Sequence, residues 1–254
     1  MAGHSHWASI KHKKALVDAK KGKLWSKLSK AIIVAARLGG GDPDLNPRLR
    51  DAIDDAKSAG MPKENILRAI KRGTGELEGE GNLESVVYEG YGPGGVAVLC
   101  EVLTDNRNRT APEIRKIFEL SDGKLGQSGS VAWMFESKGV FWIAQDKAQE
   151  DILMEIALEA GADDVRPEGD KFCILCEPGV FRGLRDKLQA AGIEVESQKV
   201  TLMPKTTLDI TDPDIARKVL KLMDRLDDHD DVQNVASNFN IPEQIIAQLA
   251  KEAE

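Results

Sequence analysis

The sequence predicts an α+β protein in which a small helical module precedes a strand-rich body. Three observations carry that prediction. Apolar residues recur at helical spacing over residues 23–72, a Gly- and Glu-rich stretch without periodicity follows at 73–82, and β-rich runs alternating with amphipathic helices take over from residue 83. With 41% hydrophobic and 30% charged residues, the 254-residue chain has the apolar mass of a globular protein with two or three domains.

The first 22 residues read as a basic flexible arm. Next, "KLWSKLSKAIIVAARL" (23–38) places Leu24, Leu28, Ile32 and Ala35/Ala36 on one helix face. Lys20, Lys23, Lys27, Lys30 and Arg37 follow steps of three and four on another, a basic stripe beside the apolar one. "GGGDPDLNP" then breaks the chain. Asn46 is a natural N-cap and Pro47 a natural first helical residue for a helix ending near Ala59–Gly60. A third helix starts at Pro62 and closes at Gly73, with Leu49, Ile53, Ile66, Leu67 and Ile70 expected to face inward. Helices 47–59 and 62–72 loosely resemble a helix-turn-helix, with Lys63, Arg68, Lys71 and Arg72 available to a groove.

In the body, "SVVYEGY" and "GVAVLCEVLT" read as strands joined by a Gly/Pro turn, and Thr110 with Glu113 predicts a capping box before "APEIRKIFEL". From Val140 the order is strand, helix, strand, strand, helix, strand, which is the βαββαβ sequence of a ferredoxin-like unit. A strand near 205–210, a helix over 211–226, a strand at 232–236 and a C-terminal helix complete the chain.

Charge is distributed unevenly. Through Arg72 there are 16 Lys plus Arg against 7 Asp plus Glu; from Gly73 onward 19 face 35, and the whole chain carries −7. A basic module on an acidic body suggests a polyanion-binding end. Over residues 1–30 eight lysines meet one acid, Asp18, and Trp7 with His4, His6 and His12 adds flat rings suited to stacking on bases. The candidate nucleic-acid contacts are therefore His4, Trp7, Lys11, His12, Lys13, Lys14, Lys20, Lys21, Lys23, Lys27 and Lys30. "TDNRNRT" (104–110) adds Arg107 and Arg109, guanidinium forks at a helix start. The alternatives are a solvated tail and a capped polar connection.

Other motifs carry less. "GYGPGG" (90–95) matches G-x-G-x-x-G but continues as strand, so a hairpin turn is the better reading. "CILC" (173–176) lies in a strand, where residues three apart face opposite ways and cannot share a metal or a disulfide. "DRLDDHDD" (224–231) clusters five aspartates around His229; a Mg²⁺-dependent nuclease is the alternative function, and a solvated loop the plainer one. A chain beginning Ala2–Gly3–His4 after loss of Met1 would hold Cu²⁺ or Ni²⁺ in a square plane at His4, as incidental chemistry. Three cysteines and the absence of an apolar leader or ~20-residue apolar run predict a cytoplasmic protein without membrane contact. No catalytic motif, cofactor fingerprint or small-molecule site is evident.

"MAGHSHWASIKHKKALVDAKKGK", "NPRLRDAIDDAKSAGMPKENI", "YEGYGPGGVAVLCEVLTDNRNRT" and "GQSGSVAWMF" closely resemble the YebC/PmpR family, which includes a mitochondrial translational activator of cytochrome oxidase subunit I. The resemblance covers essentially the whole chain. The residues themselves give a helical domain (23–72), a linker (73–82), a ferredoxin-like unit (131–202) and a C-terminal helix (241–254), and the resemblance implies that the ferredoxin-like domain is inserted into an α+β domain made of 83–130 plus 203–240. The resemblance also implies a non-enzymatic regulator of gene expression. Such a protein acts either on DNA in transcription or on rRNA or tRNA as a ribosome-associated translation factor at difficult stretches such as polyproline. A protein-interaction scaffold is the remaining alternative.

Overall fold

The computed structural model describes residues 18–77 and 83–251. Three helices come first: α1 (Asp18–Gly39), α2 (Pro47–Ser58) and α3 (Lys63–Gly73). Asn46 caps α2 as its sequence position implies. Its Oδ1 accepts from the Leu49 amide at 3.1 Å, while its Nδ2 donates to the carbonyls of Ala35 and Gly40, tying the turn to α1. Ile32, Ile33, Ala35, Ala36, Leu49, Ile53, Ala56, Met61, Ile66 and Ala69 form the core of this module. Its small residues bring helices close: a Cβ on Gly73 would stand 2.6 Å from both the Ile33 carbonyl oxygen and the Ala36 methyl. Two residues of the expected apolar faces lie outside it. Leu67 is 47% and Leu24 45% exposed: Leu67 follows the buried Ile66 and so turns off the core face of α3, and Leu24 lies two turns before Ile32, where the fully buried part of α1 begins.

The body begins with β1 (Glu84–Tyr91) and β2 (Ala97–Thr104), an antiparallel hairpin, followed by α4 (Arg107–Glu119) and β3 (Lys124–Leu125). The glycine run is indeed the hairpin turn, with Gly94 and Gly95 at φ of 70° and 80°. The chain then builds β4 (Phe135–Ala144), α5 (Glu150–Ala160), β5 (Asp164–Glu168), β6 (Lys171–Cys176), α6 (Phe181–Ala190) and β7 (Ser197–Pro204). These strands form a second antiparallel sheet in the order β5-β6-β4-β7, which is the ferredoxin-like order. After β8 (Leu208–Asp209) and α7 (Pro213–Asp227), β9 (Val232–Ser237) returns to the edge of β2, giving the first sheet the order β3-β1-β2-β9. β10 (Phe239–Asn240) pairs with β8, and α8 (Glu243–Lys251) ends the described chain.

Strand alternation explains the packing. Val98, Cys100 and Val102 face α4 and α7 in the largest core, whereas Ala97 and Leu99 face Val131, Phe135 and Leu202 on the other side of the sheet. Cys173 joins Val140 and Trp142 on one face of the second sheet, and Cys176 joins Phe141 and Ile174 on the other. Burial pushes the Cys173 thiol up to about 12 and that of Cys176 to about 11, so both are inert core residues.

One local expectation fails. Thr110 does not cap α4: Asn106 does, its Oδ1 accepting from the Arg109 amide at 3.1 Å, and Thr110 lies one turn inside the helix. Glu113 turns away to meet His229 at 3.1 Å. Asn106 already offers a cap of equal quality three residues before Arg109, so the helix starts earlier.

Candidate nucleic-acid interface

The basic stripe of α1 meets the acidic end of α7. The sequence makes α7 strongly amphipathic, so Val219, Leu222, Met223 and Leu226 dock it on the first sheet and its C-terminus projects toward the helical module. The last carbonyls of a helix lack partners and carry partial negative charge. Lysines of α1 supply those partners. Lys23 Nζ donates to the Asp228 carbonyl at 3.0 Å. Lys27 Nζ reaches the Asp227 carbonyl at 2.5 Å and its carboxylate at 3.3 Å. Lys30 Nζ lies 3.1 Å from the Asp230 carbonyl and 2.7 Å from Asp231 Oδ1.

Asp231 is the hub of this contact. Its side chain is 5% exposed, and its second oxygen accepts from Arg109 and from Thr110 Oγ1, each at 2.7 Å. Burial by itself would raise the Asp231 carboxyl. The hydrogen bonds from Lys30, Thr110 and Arg109 overcome that and hold it well below the usual carboxylate range. Arg109 also bonds Asp105 at 3.0 Å, and Arg185 of α6 approaches Asp51 of α2 at 3.6 Å. The helical module is therefore tied to both sheets.

This arrangement differs from the solvent-facing stripe that the periodicity predicts. Lys27 and Lys30, 13% and 15% exposed, are largely enclosed by carboxylates and carbonyls of the same chain, whereas Lys23 and Arg109, 49% and 45% exposed, are engaged on one side and keep other N–H groups toward solvent. Arg107 is different: its side chain is 63% exposed and stands 3.9 Å from Glu84, a loose surface pair. Lys20 and Lys21 belong to the first turn of α1. His4, Trp7, Lys11, His12, Lys13 and Lys14, and with them the copper or nickel site at His4, lie outside the described residues. The 73–82 linker is described only as far as Leu77.

The aspartate cluster does not gather into a metal centre. Among the described residues no group of three His, Cys, Asp or Glu side chains is placed to hold a metal ion. The oxygens of Asp231 are already spent on a lysine, an arginine and a hydroxyl.

A different basic site emerges between α1 and α3. Ser29 and Ile33 of α1 and Asn65, Arg68, Ala69 and Arg72 of α3 line an open recess of about 180 Å³. Arg68 and Arg72 are one turn apart on α3 and so share a face, while Ala69 and Ile33 form its floor. Two guanidinium groups, a hydroxyl and an amide, with no carboxylate in the lining, are a donor set for a phosphate or sulfate anion. The sequence displays Arg68 and Arg72 but not their meeting with Ser29, which depends on the close crossing of α1 and α3. Among the described residues no helix is long and apolar enough to cross a membrane.

Comparison with known proteins places this geometry among relatives. A family described as "TACO1/YebC protein N-terminal domain" matches residues 5–76, and one described as "TACO1/YebC second and third domain" matches residues 83–239. A probable transcriptional regulatory protein of Rhodopirellula baltica is 54% identical over 98% of this chain and all of its own length. One of Dictyoglomus turgidum shows the same identity and coverage. The crystal structure of a conserved hypothetical protein from Aquifex aeolicus superposes with a TM-score of 0.84 at 51% identity, covering 93% of this chain and 97% of that one.

Proposed function

The chain belongs to the TACO1/YebC family, and on that premise we propose that it is a non-enzymatic regulator of gene expression that binds nucleic acid through its N-terminal arm and helical module. The observation that carries this reading is the recess between α1 and α3, where Arg68 and Arg72 converge with Ser29 and Asn65 and the lining holds no carboxylate. It lies on the segment where basic residues outnumber acidic ones 16 to 7. In this reading a backbone phosphate seats in the recess, Lys71 stands beside Arg68 on the same helix, and Lys11, Lys13 and Lys14 follow the adjoining phosphates with Trp7 stacked on a base.

The lysines of α1 have a different job. Lys23, Lys27 and Lys30 fix the module against the body, so the basic surface is presented in one orientation. The regulatory names of the relatives agree with such a protein. Duplex DNA as the preferred ligand would place the action in transcription; folded RNA, with co-sedimentation on ribosomes, would place it in translation.

The test is a salt titration of the full chain against a labelled duplex and a labelled tRNA. Binding should weaken steeply with salt. Removing residues 2–17 should reduce the logarithmic slope by about 2 to 3, close to one increment for each phosphate the arm neutralises. Absence of binding to both ligands at low salt would overturn the reading.

A further inference from the structure

A second surface has the properties of a stacking platform. Trp133 is 65% exposed and Tyr91 41%, yet both rings are held in place. Trp133 Nε1 donates to the Ser130 carbonyl at 3.2 Å, and the Tyr91 hydroxyl donates to the same oxygen at 3.1 Å. An unneeded surface tryptophan is ordinarily tucked down or left unrestrained; here the polar edge is anchored and the apolar ring stays open.

A buried carboxylate makes the loop that carries them rigid. Glu89, 4% exposed, accepts from the amides of Gly129 at 2.6 Å, Val131 at 2.8 Å and Ala132 at 2.7 Å. Burial works against its charge, but those three hydrogen bonds prevail and hold the carboxyl below its usual value. With its inner side fixed in this way, the Gly/Ser loop displays Gln127, Ser128 and Trp133 on its outer side.

Charge identifies the occupant. From Gly73 onward acids outnumber bases 35 to 19, yet Gly123 to Phe135 contains no acid at all and one base, Lys124. Lys124 pairs directly with Tyr91 across β3 and β1, and the Lys205 amide bonds the carbonyl of Met134, next to Trp133. Neither lysine side chain has an ion-pair partner among the described residues. Exposed aromatic rings, flexible cations and a run of hydroxyl and amide groups, with the Glu89 carboxylate turned inward onto the loop amides and no acid within 123–135, fit a base and its phosphate.

We infer that Trp133, with Tyr91, Lys124 and Lys205, forms a second nucleic-acid site, on the strand-rich body, that takes an unpaired nucleotide by stacking. The occupant is single-stranded because only an unstacked base offers a free π-face. A duplex held at the helical-module recess with a single-stranded segment reaching the platform would be read at two places. The inference presupposes that the chain binds nucleic acid.

The experiment uses the full chain carrying Trp7→Phe, so that Trp133 dominates the exposed indole signal, with fluorescein-labelled oligo(U) and oligo(A) dodecamers and a blunt duplex. Trp133→Ala should weaken dodecamer binding about tenfold and abolish quenching of tryptophan fluorescence, while Trp133→Phe restores most of the affinity. Lys124→Ala combined with Lys205→Ala should weaken it severalfold. Duplex binding should hardly change in any of these. If the parent chain binds both ligands and Trp133→Ala matches it on the dodecamers, the platform is refuted and the helical-module reading stands. If the parent chain binds neither, both fall together.

Discussion

Two buried carboxylates do much of the organising at the level of single residues. Asp231 receives Lys30, Arg109 and Thr110, and Glu89 receives three loop amides. Removing the charge from such a group leaves its donors unpaired in a dry site, which costs more than the pair contributes over water. Asp231→Ala should therefore lower unfolding stability by about 3 kcal/mol in urea titration. Glu89→Gln should cost about 2 kcal/mol and shift the emission of Trp133, because an amide cannot accept from three donors with both atoms. Both carboxyls are held below their ordinary values of 3.8 and 4.5. Each is charged more readily in the folded chain than in the unfolded one, so each stabilises fully above its ordinary value. That contribution drains away as pH falls through and below about 4. In Asp231→Ala the fall of stability between about pH 5 and about pH 2 should be shallower than in the parent chain, as measured by thermal melts.

At the scale of elements, helix crossings and helix ends position everything else. Gly73 lets α3 approach α1 so closely that a methyl would strike the Ile33 carbonyl. Gly73→Ala should cost about 2 kcal/mol through overpacking, and because that crossing shapes the recess it should also weaken duplex binding. Most elements are legible from sequence, since apolar periodicity, Asn46–Pro47, and the glycines closing α2 and α3 act within a few residues of themselves. The βαββαβ order is legible for the same reason. What the sequence hides is non-local. Lys23, Lys27 and Lys30 look like a free basic stripe because the partners that engage them lie some 200 residues away. Asp227 and Asp231, likewise, look like a metal cluster until α1 is placed beside them. Arg68 is visible as a charge, but its recess depends on Ser29 arriving from another helix. Trp133 carries a fainter signal, an acid-free stretch from Gly123 to Phe135 within an acidic body, which motif and periodicity reading passes over.

The whole molecule separates its charge and then stitches the halves together. The basic module is latched to the acidic body through α1 and the C-terminus of α7, which engages Lys23, Lys27 and Lys30, while Arg68 and Arg72 of α3 line the recess. Binding of duplex nucleic acid is accordingly predicted to depend on α3 and the arm, and to be nearly indifferent to the latch as long as the fold holds. The most direct measurement compares duplex and tRNA affinity in two variants of equal charge change, Arg68→Ala with Arg72→Ala and Lys23→Ala with Lys27→Ala, each checked for melting temperature. The arginine pair should lose about tenfold or more in affinity while the chain remains folded at the assay temperature, because two charge-assisted contacts go. The lysine pair should melt at a lower temperature and bind within about threefold of the parent. Affinity lost with the lysines and kept without the arginines would contradict this, and would mean that the latch opens to let phosphates in.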